Sequence, residues 1–353
     1  MKFFRGEYIF ILLLAVACTH SNKATKNPVN ADAIQPVVVT EKVRFDSDDP
    51  AIWIHPSDKS KSLIVGTDKD SKGALFVFDL QGKIVNRVDG LQRPNNVDIA
   101  YGFILNGKPV DFAVTTERET NKLRFFSLPD MKAIDGGGIE IFTGEKDRLP
   151  MGVSIYTNPA DKTIYVIAGR KSGPADGYLW QYKLIDDNGK LAMHLVRKFG
   201  RYSGKKEIES IAVDNELGYV YYSDEQFGIR KYYADPLKGN EELSVFGQGE
   251  FKEDNEGISI YKFDNGAGYI LVSDQSANRF NIYAREGAND NPHKHSRIAS
   301  VPVSTDQSDG SEITSVSLPN FAGGLFVAMS TDRTFHYYRW SDIAKRAGLK
   351  IKE

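Results

Sequence analysis

The chain has 353 residues, of which 41% are hydrophobic and 26% charged, with 45 Lys and Arg against 47 Asp and Glu. This is the composition of an ordinary globular protein, and it excludes a disordered, collagen-like or disulfide-rich chain. The formal net charge of -2 gives no strong basic field, so the sequence predicts no nucleic-acid partner.

The N-terminus has the pattern of a targeting segment. A short basic region precedes an apolar run at residues 8–17, which is too short to span a bilayer but suits a signal peptide. The run ends in Ala15-Val16-Ala17-Cys18, which resembles a bacterial lipobox. We therefore expect removal of residues 1–17 and a lipid anchor on Cys18 in the bacterial cell envelope; a secretory signal with an incidental cysteine is the alternative. Residues 18–36 are polar and are expected to form a flexible tether.

A repeat of about fifty residues organises the rest of the chain. An apolar strand, a polar turn and an aromatic-rich strand recur from residues 63, 112, 164, 220, 270 and 326, and a further strand precedes each pair. Short strands at this period indicate blades of a β-propeller. We predict an all-β, six-bladed propeller of four-stranded antiparallel blades over residues 37–353, with a strand at 37–43 completing the last blade and closing the ring. One short helix is predicted near the C-terminus, capped by Ser341 and ending at Gly348.

Charged residues recur at corresponding ends of the predicted strands. In a propeller the first strand of each blade lines the central channel and the second runs antiparallel to it, so these ends share one mouth of the channel. The residues predicted there are Asp48, Asp49, Asp98, Glu209, Glu225, Asp254, Glu256, Asp306, Glu312, Lys69, Arg118, Arg170 and Lys171. Any one of them could be a solvated turn residue, but their recurrence in most blades favours a site.

Such a mouth favours calcium and phosphate chemistry. Crowded carboxylates raise one another's pKa, and calcium relieves the repulsion because it accepts many oxygen ligands. The chain has 6 His and 1 Cys, so zinc is disfavoured. Basic side chains suit a phosphate, and Arg can bind it through two hydrogen bonds. The sequence therefore predicts a metal-assisted phosphate hydrolase.

Several segments resemble a known family. Asp46-Ser47-Asp48-Asp49-Pro50-Ala51-Ile52-Trp53, Thr67-Asp68-Lys69, Asn95-Asn96-Val97-Asp98-Ile99 and Asp254-Asn255-Glu256-Gly257 look like segments of the β-propeller (alkaline) phytases. The similarity runs from about residue 37 to 350. It implies hydrolysis of myo-inositol hexakisphosphate (phytate) or related inositol phosphates, with several calcium ions serving structure and catalysis.

The resemblance also implies roles for individual residues. Lys69 and Arg118 look like phosphate-binding residues, and we expect Arg170 and Lys171 to bind substrate as well. The carboxylates that look like the active-site calcium cluster are Asp48, Glu209, Glu225, Asp254, Glu256 and Glu312. The groups that look like ligands of structural calcium are Asp49, the carbonyls of Pro50 and Val97, and Asp306. The predicted catalytic set is Lys69, Arg118, Glu209, Glu225, Asp254 and Glu256.

Three positions depart from the family pattern. Phe45 stands where an acidic residue is common, Met151 replaces a phosphate-binding Tyr, and Lys171 replaces a carboxylate. These changes would reduce the number of calcium ions that the site binds, or would let side chains neutralise the substrate phosphates directly.

The implied reaction is attack of calcium-activated water on a phosphomonoester, because no side chain is placed as an obvious nucleophile. The motifs RHGxRxP and HCxxxxxR of two other phosphatase classes are absent from the sequence. Two alternatives stay open: another calcium-dependent propeller hydrolase such as a lactonase, and a non-catalytic propeller that binds calcium and inositol phosphate. We expect a monomer whose partner is a small-molecule substrate and whose only membrane contact is the lipid anchor.

Overall fold

The computed structural model describes Met1 and residues 29–352. The predicted signal peptide beyond Met1, Cys18 and most of the predicted tether lie outside the described residues. Within the described part of the chain, no helix is both long and apolar enough to cross a membrane.

The described chain forms six four-stranded antiparallel sheets, which confirms the predicted six-bladed propeller. A two-residue strand, Val38–Val39 (β1), comes first. The first two blades contain Ser47–Trp53 (β2), Leu63–Asp68 (β3), Gly73–Phe78 (β4), Ile84–Leu91 (β5), Pro94–Leu105 (β6), Lys108–Glu117 (β7), Lys122–Leu128 (β8) and Ile139–Glu140 (β9). The next two contain Pro150–Thr157 (β10), Ile164–Arg170 (β11), Asp176–Asp187 (β12), Lys190–Arg201 (β13), Ile211–Asp214 (β14), Tyr219–Asp224 (β15), Gly228–Tyr233 (β16) and Ser244–Phe246 (β17). The last two contain Asn255–Lys262 (β18), Gly268–Asp274 (β19), Arg279–Ala284 (β20), Arg297–Pro302 (β21), Ser311–Thr314 (β22), Leu325–Ser330 (β23) and Thr334–Arg339 (β24).

The sixth blade draws strands from both ends of the chain. Its strand order is β1-β24-β23-β22, and β1 pairs antiparallel with β24, with Val38 opposite Tyr337. Only Val38–Val39 of the predicted strand at 37–43 has strand structure, although the N–H of Val43 still donates to the carbonyl of Arg333.

The C-terminal helix, Trp340–Ala347 (α1), begins two residues earlier than the start at Asp342 that a Ser341 cap predicts. Ser341 lies inside its first turn, so the prediction that Ser341 caps the helix was wrong. The predicted end is confirmed, because Gly348 takes the left-handed conformation with φ of 66° and its N–H bonds the carbonyl of Ala344. The described residues also form short 3-10 turns at Lys59–Lys61, Arg118–Thr120, Pro236–Lys238 and Gln275–Ala277.

Apolar side chains of neighbouring blades interleave to form the core. Between the sixth and first blades, for example, Phe335 and Tyr337 pack against Ile64 and Phe76, and all four are buried. Corresponding clusters join the other neighbouring blades. This packing holds the six innermost strands (β2, β6, β10, β14, β18 and β22) around a channel that encloses a cavity of about 310 Å³.

Candidate active site

The inner strands are irregular where they enter the mouth of the channel. In four blades the pairing register shifts there, between Ser47 and Pro50, Pro94 and Val97, Pro150 and Val153, and Asn255 and Ile258. A bulge of this kind leaves residues out of the ladder and redirects their side chains. The residues released in this way include Asp48, Asp49, Asn95 and Glu256.

Lys69 lies among three carboxylates, which with it form the Lys69 group: Lys69, Asp48, Glu209 and Asp309. The ammonium bonds Asp48 Oδ1 and lies 3.6 Å from Glu209 Oε1 and 3.5 Å from Asp309 Oδ2. Burial alone would lower the pKa of Lys69, but these carboxylates outweigh it and raise the pKa well above its usual value. Lys69 is therefore a fixed positive charge at the mouth.

Asn95 connects Arg118 to the Lys69 group. Its amide nitrogen donates to Asp48 Oδ2 at 3.0 Å and also to Glu209 Oε1, while its amide oxygen accepts from Arg118 Nη2. Burial raises the pKa of Glu209, but Lys69 and Arg118 more than offset this, so the net shift is downward. Arg118 Nε is buried and has no hydrogen-bond partner in the described part of the chain, so this guanidinium retains an unused donor there.

A second cation lies among other predicted ligands in the Lys206 group: Lys206, Glu225, Asp254 and Glu256. Lys206 Nζ lies 2.7 Å from Glu225 Oε2, 2.7 Å from Asp254 Oδ2 and 3.6 Å from Glu256 Oε1. Burial raises the pKa of Glu225 to about 8. The contact with Lys206 lowers this pKa, but it offsets only part of the rise. Burial, with repulsion from Glu225, raises the pKa of Glu256 well above its usual range.

The two groups are contiguous through their carboxylates. One oxygen each of Glu207, Glu209 and Glu225 lies within 4.8 Å of the others, and the same holds for Glu225, Asp254 and Glu256. Glu225 Oε1 and Glu256 Oε2 are buried and have no hydrogen-bond partner among the residues that the structure describes. Converging carboxylate oxygens with unused lone pairs are the ligands that calcium prefers, so the residues present fit this ion.

The predicted structural calcium ligands fall into two places. Asp49, Pro50 and Val97 line the channel cavity, where Asp49 Oδ2 accepts from the N–H of Val97 at 3.0 Å. Glu312, which was predicted to belong to the active-site calcium cluster, lines the same cavity. Burial, reinforced by Asp98, raises the pKa of Glu312 to about 8.

Asp306 lies in the loop before β22. Its Oδ2 accepts from Thr331 Oγ1 at 2.8 Å, while its Oδ1 is buried and no described residue forms a hydrogen bond with it. Within residues 29–352, no hydrogen bond or ion pair joins Asp306 to Asp49.

Comparison with known proteins assigns the chain to a family. The sequence matches the family model "Phytase" over residues 8–337. The chain belongs to the phytase family. A curated relative, the 3-phytase of Bacillus subtilis (strain 168), is 29% identical over 330 residues, which cover 86% of this chain and 81% of the relative.

Solved structures also resemble this phytase-family chain. The β-propeller domain of Myceliophteria thermophila Cps50 (Swd1) aligns with a TM-score of 0.49 and 10% identity, covering 85% of each chain. The Dos1 propeller aligns with a TM-score of 0.43 and 11% identity, covering 83% of this chain and 67% of that one.

Arg170 and Lys171, which the phytase resemblance led us to expect near substrate, lie in different surroundings. Arg170 is buried; its Nη1 donates to Glu145 Oε2 at 3.2 Å and its guanidinium lies 4.8 Å from the centre of the Phe142 ring. Lys171 is half exposed and its Nζ lies 2.7 Å from Glu207 Oε2. In the described residues, no hydrogen bond or ion pair joins Arg170 to the Lys69 group, and its role in binding substrate stays a prediction.

Phe45 and Met151, the other two departures from the phytase pattern, differ in their exposure to solvent. Phe45 is exposed, with the Arg44 guanidinium 5.3 Å from its ring centre. Met151 is buried, and its carbonyl accepts from Thr116 Oγ1 at 2.6 Å.

Sequence reasoning missed three site residues of this phytase-family chain: Lys206, Glu207 and Asp309. All three lie in loops that precede the inner strands, where no periodic pattern marks a side chain's direction. Asp309 precedes Gly310, at which a Cβ would lie 2.4 Å from Asp49 Oδ1. The sequence Asp309-Gly310 was therefore a usable signal for a close approach of the backbone to the mouth.

Proposed function

We propose that this chain hydrolyses phytate or related inositol phosphates with the help of calcium, at the mouth formed by the Lys69 and Lys206 groups. The observation that supports it most is the position of Lys69 and Arg118 beside a contiguous set of buried carboxylates. Fixed cations would bind the substrate phosphates, and the carboxylates would bind a metal ion. This mouth contains both kinds of side chain. Membership of the phytase family and the curated 3-phytase relative support the same assignment.

Calcium would be held by oxygens of Glu209, Glu225, Asp254 and Glu256, with Asp48 and Glu312 as further candidates. When bound, it would offset the charge of phosphate oxygens and activate a water for attack on phosphorus. A carboxyl that binds calcium must first lose its proton. Glu225, whose pKa is about 8 in the metal-free protein, would therefore release a proton as the ion binds.

The chain's own cations would bind and orient the substrate. Arg118 can donate two parallel hydrogen bonds to one phosphate, and Asn95 holds its guanidinium in place by accepting from Nη2. Lys69 adds a point charge on the other side of Asn95. Phosphates on adjacent carbons of an inositol ring could then occupy neighbouring positions at the mouth.

Further features of the proposal concern structure and location. Asp49, the carbonyls of Pro50 and Val97, and Asp306 would bind structural calcium, while Arg170 and Lys171 would contribute to substrate binding. We also propose a monomeric enzyme in the bacterial cell envelope, anchored through Cys18.

Phosphate release from calcium phytate tests the proposal. The purified protein should release phosphate, lose this activity in excess chelator and regain it when calcium is restored. Arg118→Ala should lower kcat/KM by roughly a hundredfold, the size of effect seen when one donor to a transition-state oxyanion is removed. Arg87→Ala serves as the control, because Arg87 lies on the outer strand β5. Calcium-dependent binding of phytate without phosphate release would instead favour a non-catalytic propeller, and hydrolysis of lactones alone would favour a lactonase.

A further inference from the structure

The Lys206 group contains a cation of its own. Its three carboxylates, Glu225, Asp254 and Glu256, have oxygens within 4.8 Å of one another. Lys206 Nζ contacts all three, at 2.7, 2.7 and 3.6 Å. The ammonium therefore lies between the oxygens that would hold a calcium ion.

This arrangement has a clear physical cause. Glu225 and Glu256 are buried, and a buried carboxylate needs a counter-charge or a proton. A single ammonium cannot satisfy three carboxylates, and within residues 29–352 Glu225 Oε1 and Glu256 Oε2 remain without hydrogen-bond partners. A divalent ion would neutralise the three carboxylates more completely, but its position would overlap that of the Lys206 ammonium.

We propose that Lys206 is an internal counter-cation that holds these carboxylates together in the metal-free protein and competes with calcium for them. The proposal rests on the calcium site of the proposed function. The Lys206 side chain is 35% exposed on a flexible four-carbon stem, so it can turn toward the open mouth when calcium binds. Competition by Lys206 then sets the calcium concentration at which the site fills.

Glu207, the residue after Lys206, also has a lysine as its counter-cation. Glu207 belongs to the adjoining set of converging oxygens, and Lys171 Nζ lies 2.7 Å from its Oε2. Lys171 is more exposed than Lys206 and contacts one carboxylate rather than three. Lys206 is therefore the stronger competitor and the better residue to test.

Calorimetric titration of the chelator-treated protein with calcium measures the competition directly. Lys206→Met removes the charge and keeps most of the stem, and it should bind calcium at least about tenfold more tightly at one site. Lys206→Arg keeps the charge and should stay within about threefold of wild type. Lys205→Met is the matched control, because Lys205 Nζ donates to the carbonyl of Gln226 and contacts none of the three carboxylates.

Thermal unfolding gives a second readout. In chelator, Lys206→Met should unfold at a lower temperature than wild type, because its carboxylates have lost their counter-cation. Saturating calcium should remove that difference, while Lys205→Met should behave as wild type in both conditions. If Lys206→Met folds only in the presence of calcium, that result also supports the proposal, and Lys206→Gln then serves for the titration.

The proposal is overturned if Lys206→Met binds calcium with wild-type or weaker affinity, or if its unfolding temperature in chelator equals that of wild type. Neither readout uses phytate. Failure of the proposed enzymatic function would appear as calcium binding without phosphate release, which is a different result from unchanged calcium binding in the variant.

Discussion

Replacing Lys69 by Met should make the protein's stability depend more strongly on calcium than that of wild type. Lys69 contacts Asp48, Glu209 and Asp309, whose side chains are 1, 9 and 20% exposed. Removing one partner of a buried ion pair costs about 3–5 kcal/mol, because it leaves an uncompensated charge in the interior. The unfolding entropy of roughly 2 cal/mol/K per residue, summed over residues 29–352, converts this loss to about 4–8 °C in Tm.

Differential scanning fluorimetry in chelator and in calcium tests this expectation. The loss in Tm should appear in chelator and largely disappear in calcium, because a bound divalent ion supplies the missing charge. Lys171→Met is the matched control: Lys171 is 47% exposed and pairs with one carboxylate, so less than about 1 kcal/mol is at stake. Equal losses in the two buffers, or no loss in chelator, would refute the reasoning.

Three further predictions concern single side chains. Arg118→Lys should recover only part of the phosphate release lost in Arg118→Ala, because Lys lacks the planar pair of donors, and steady-state kinetics on phytate would show this. Lys171→Glu should increase the calcium dependence of phytate hydrolysis, since it replaces a fixed cation by a metal ligand beside Glu207; coincident calcium titrations of variant and wild type would contradict it. Burial lowers the pKa of Lys231 from 10.5 to about 8, so the folded protein binds its proton less tightly than the unfolded chain does. Wild-type stability should therefore rise between about pH 8 and 10.5, by up to about 3 kcal/mol relative to Lys231→Met, and equal pH profiles in chemical denaturation would exclude this.

The blade architecture could be predicted because it repeats. Alternation of apolar strands, polar turns and aromatic strands at a nearly constant spacing leaves few folds that bury every strand. The short strand β1 was harder, since only Val38–Val39 has strand structure although residues 37–43 have the composition of a strand. The start of α1 was misplaced by two residues because Trp340, which packs against Tyr261 with ring centres 4.3 Å apart, extends the helix through a tertiary contact.

In the candidate site too, residues on strands could be predicted and residues in loops could not. Asp48, Lys69, Glu225 and Glu256 belong to strands or lie next to them, so their positions at the mouth follow from strand direction. Lys206, Glu207 and Asp309 depend on loop conformation, which no local pattern specifies.

Arg170 shows a different limit of sequence reasoning. The sequence predicted its place at the end of β11. It did not predict that Arg170 donates hydrogen bonds to Glu145 and to the carbonyl of Asp147. Both belong to the loop between β9 and β10, so the burial of Arg170 depends on a segment distant from its own strand.

The pairing of β1 with β24 has a consequence for biosynthesis. The ribosome makes Val38–Val39 near the beginning and Thr334–Arg339 near the end, so the sixth sheet cannot assemble until almost the whole chain exists. The mouth has the same timing, because Asp48 follows β1 closely whereas Asp309 precedes β22. A nascent chain therefore carries unpaired strand edges and no complete site, and a product that lacks β24 would leave β1 unpaired and one edge of β23 exposed.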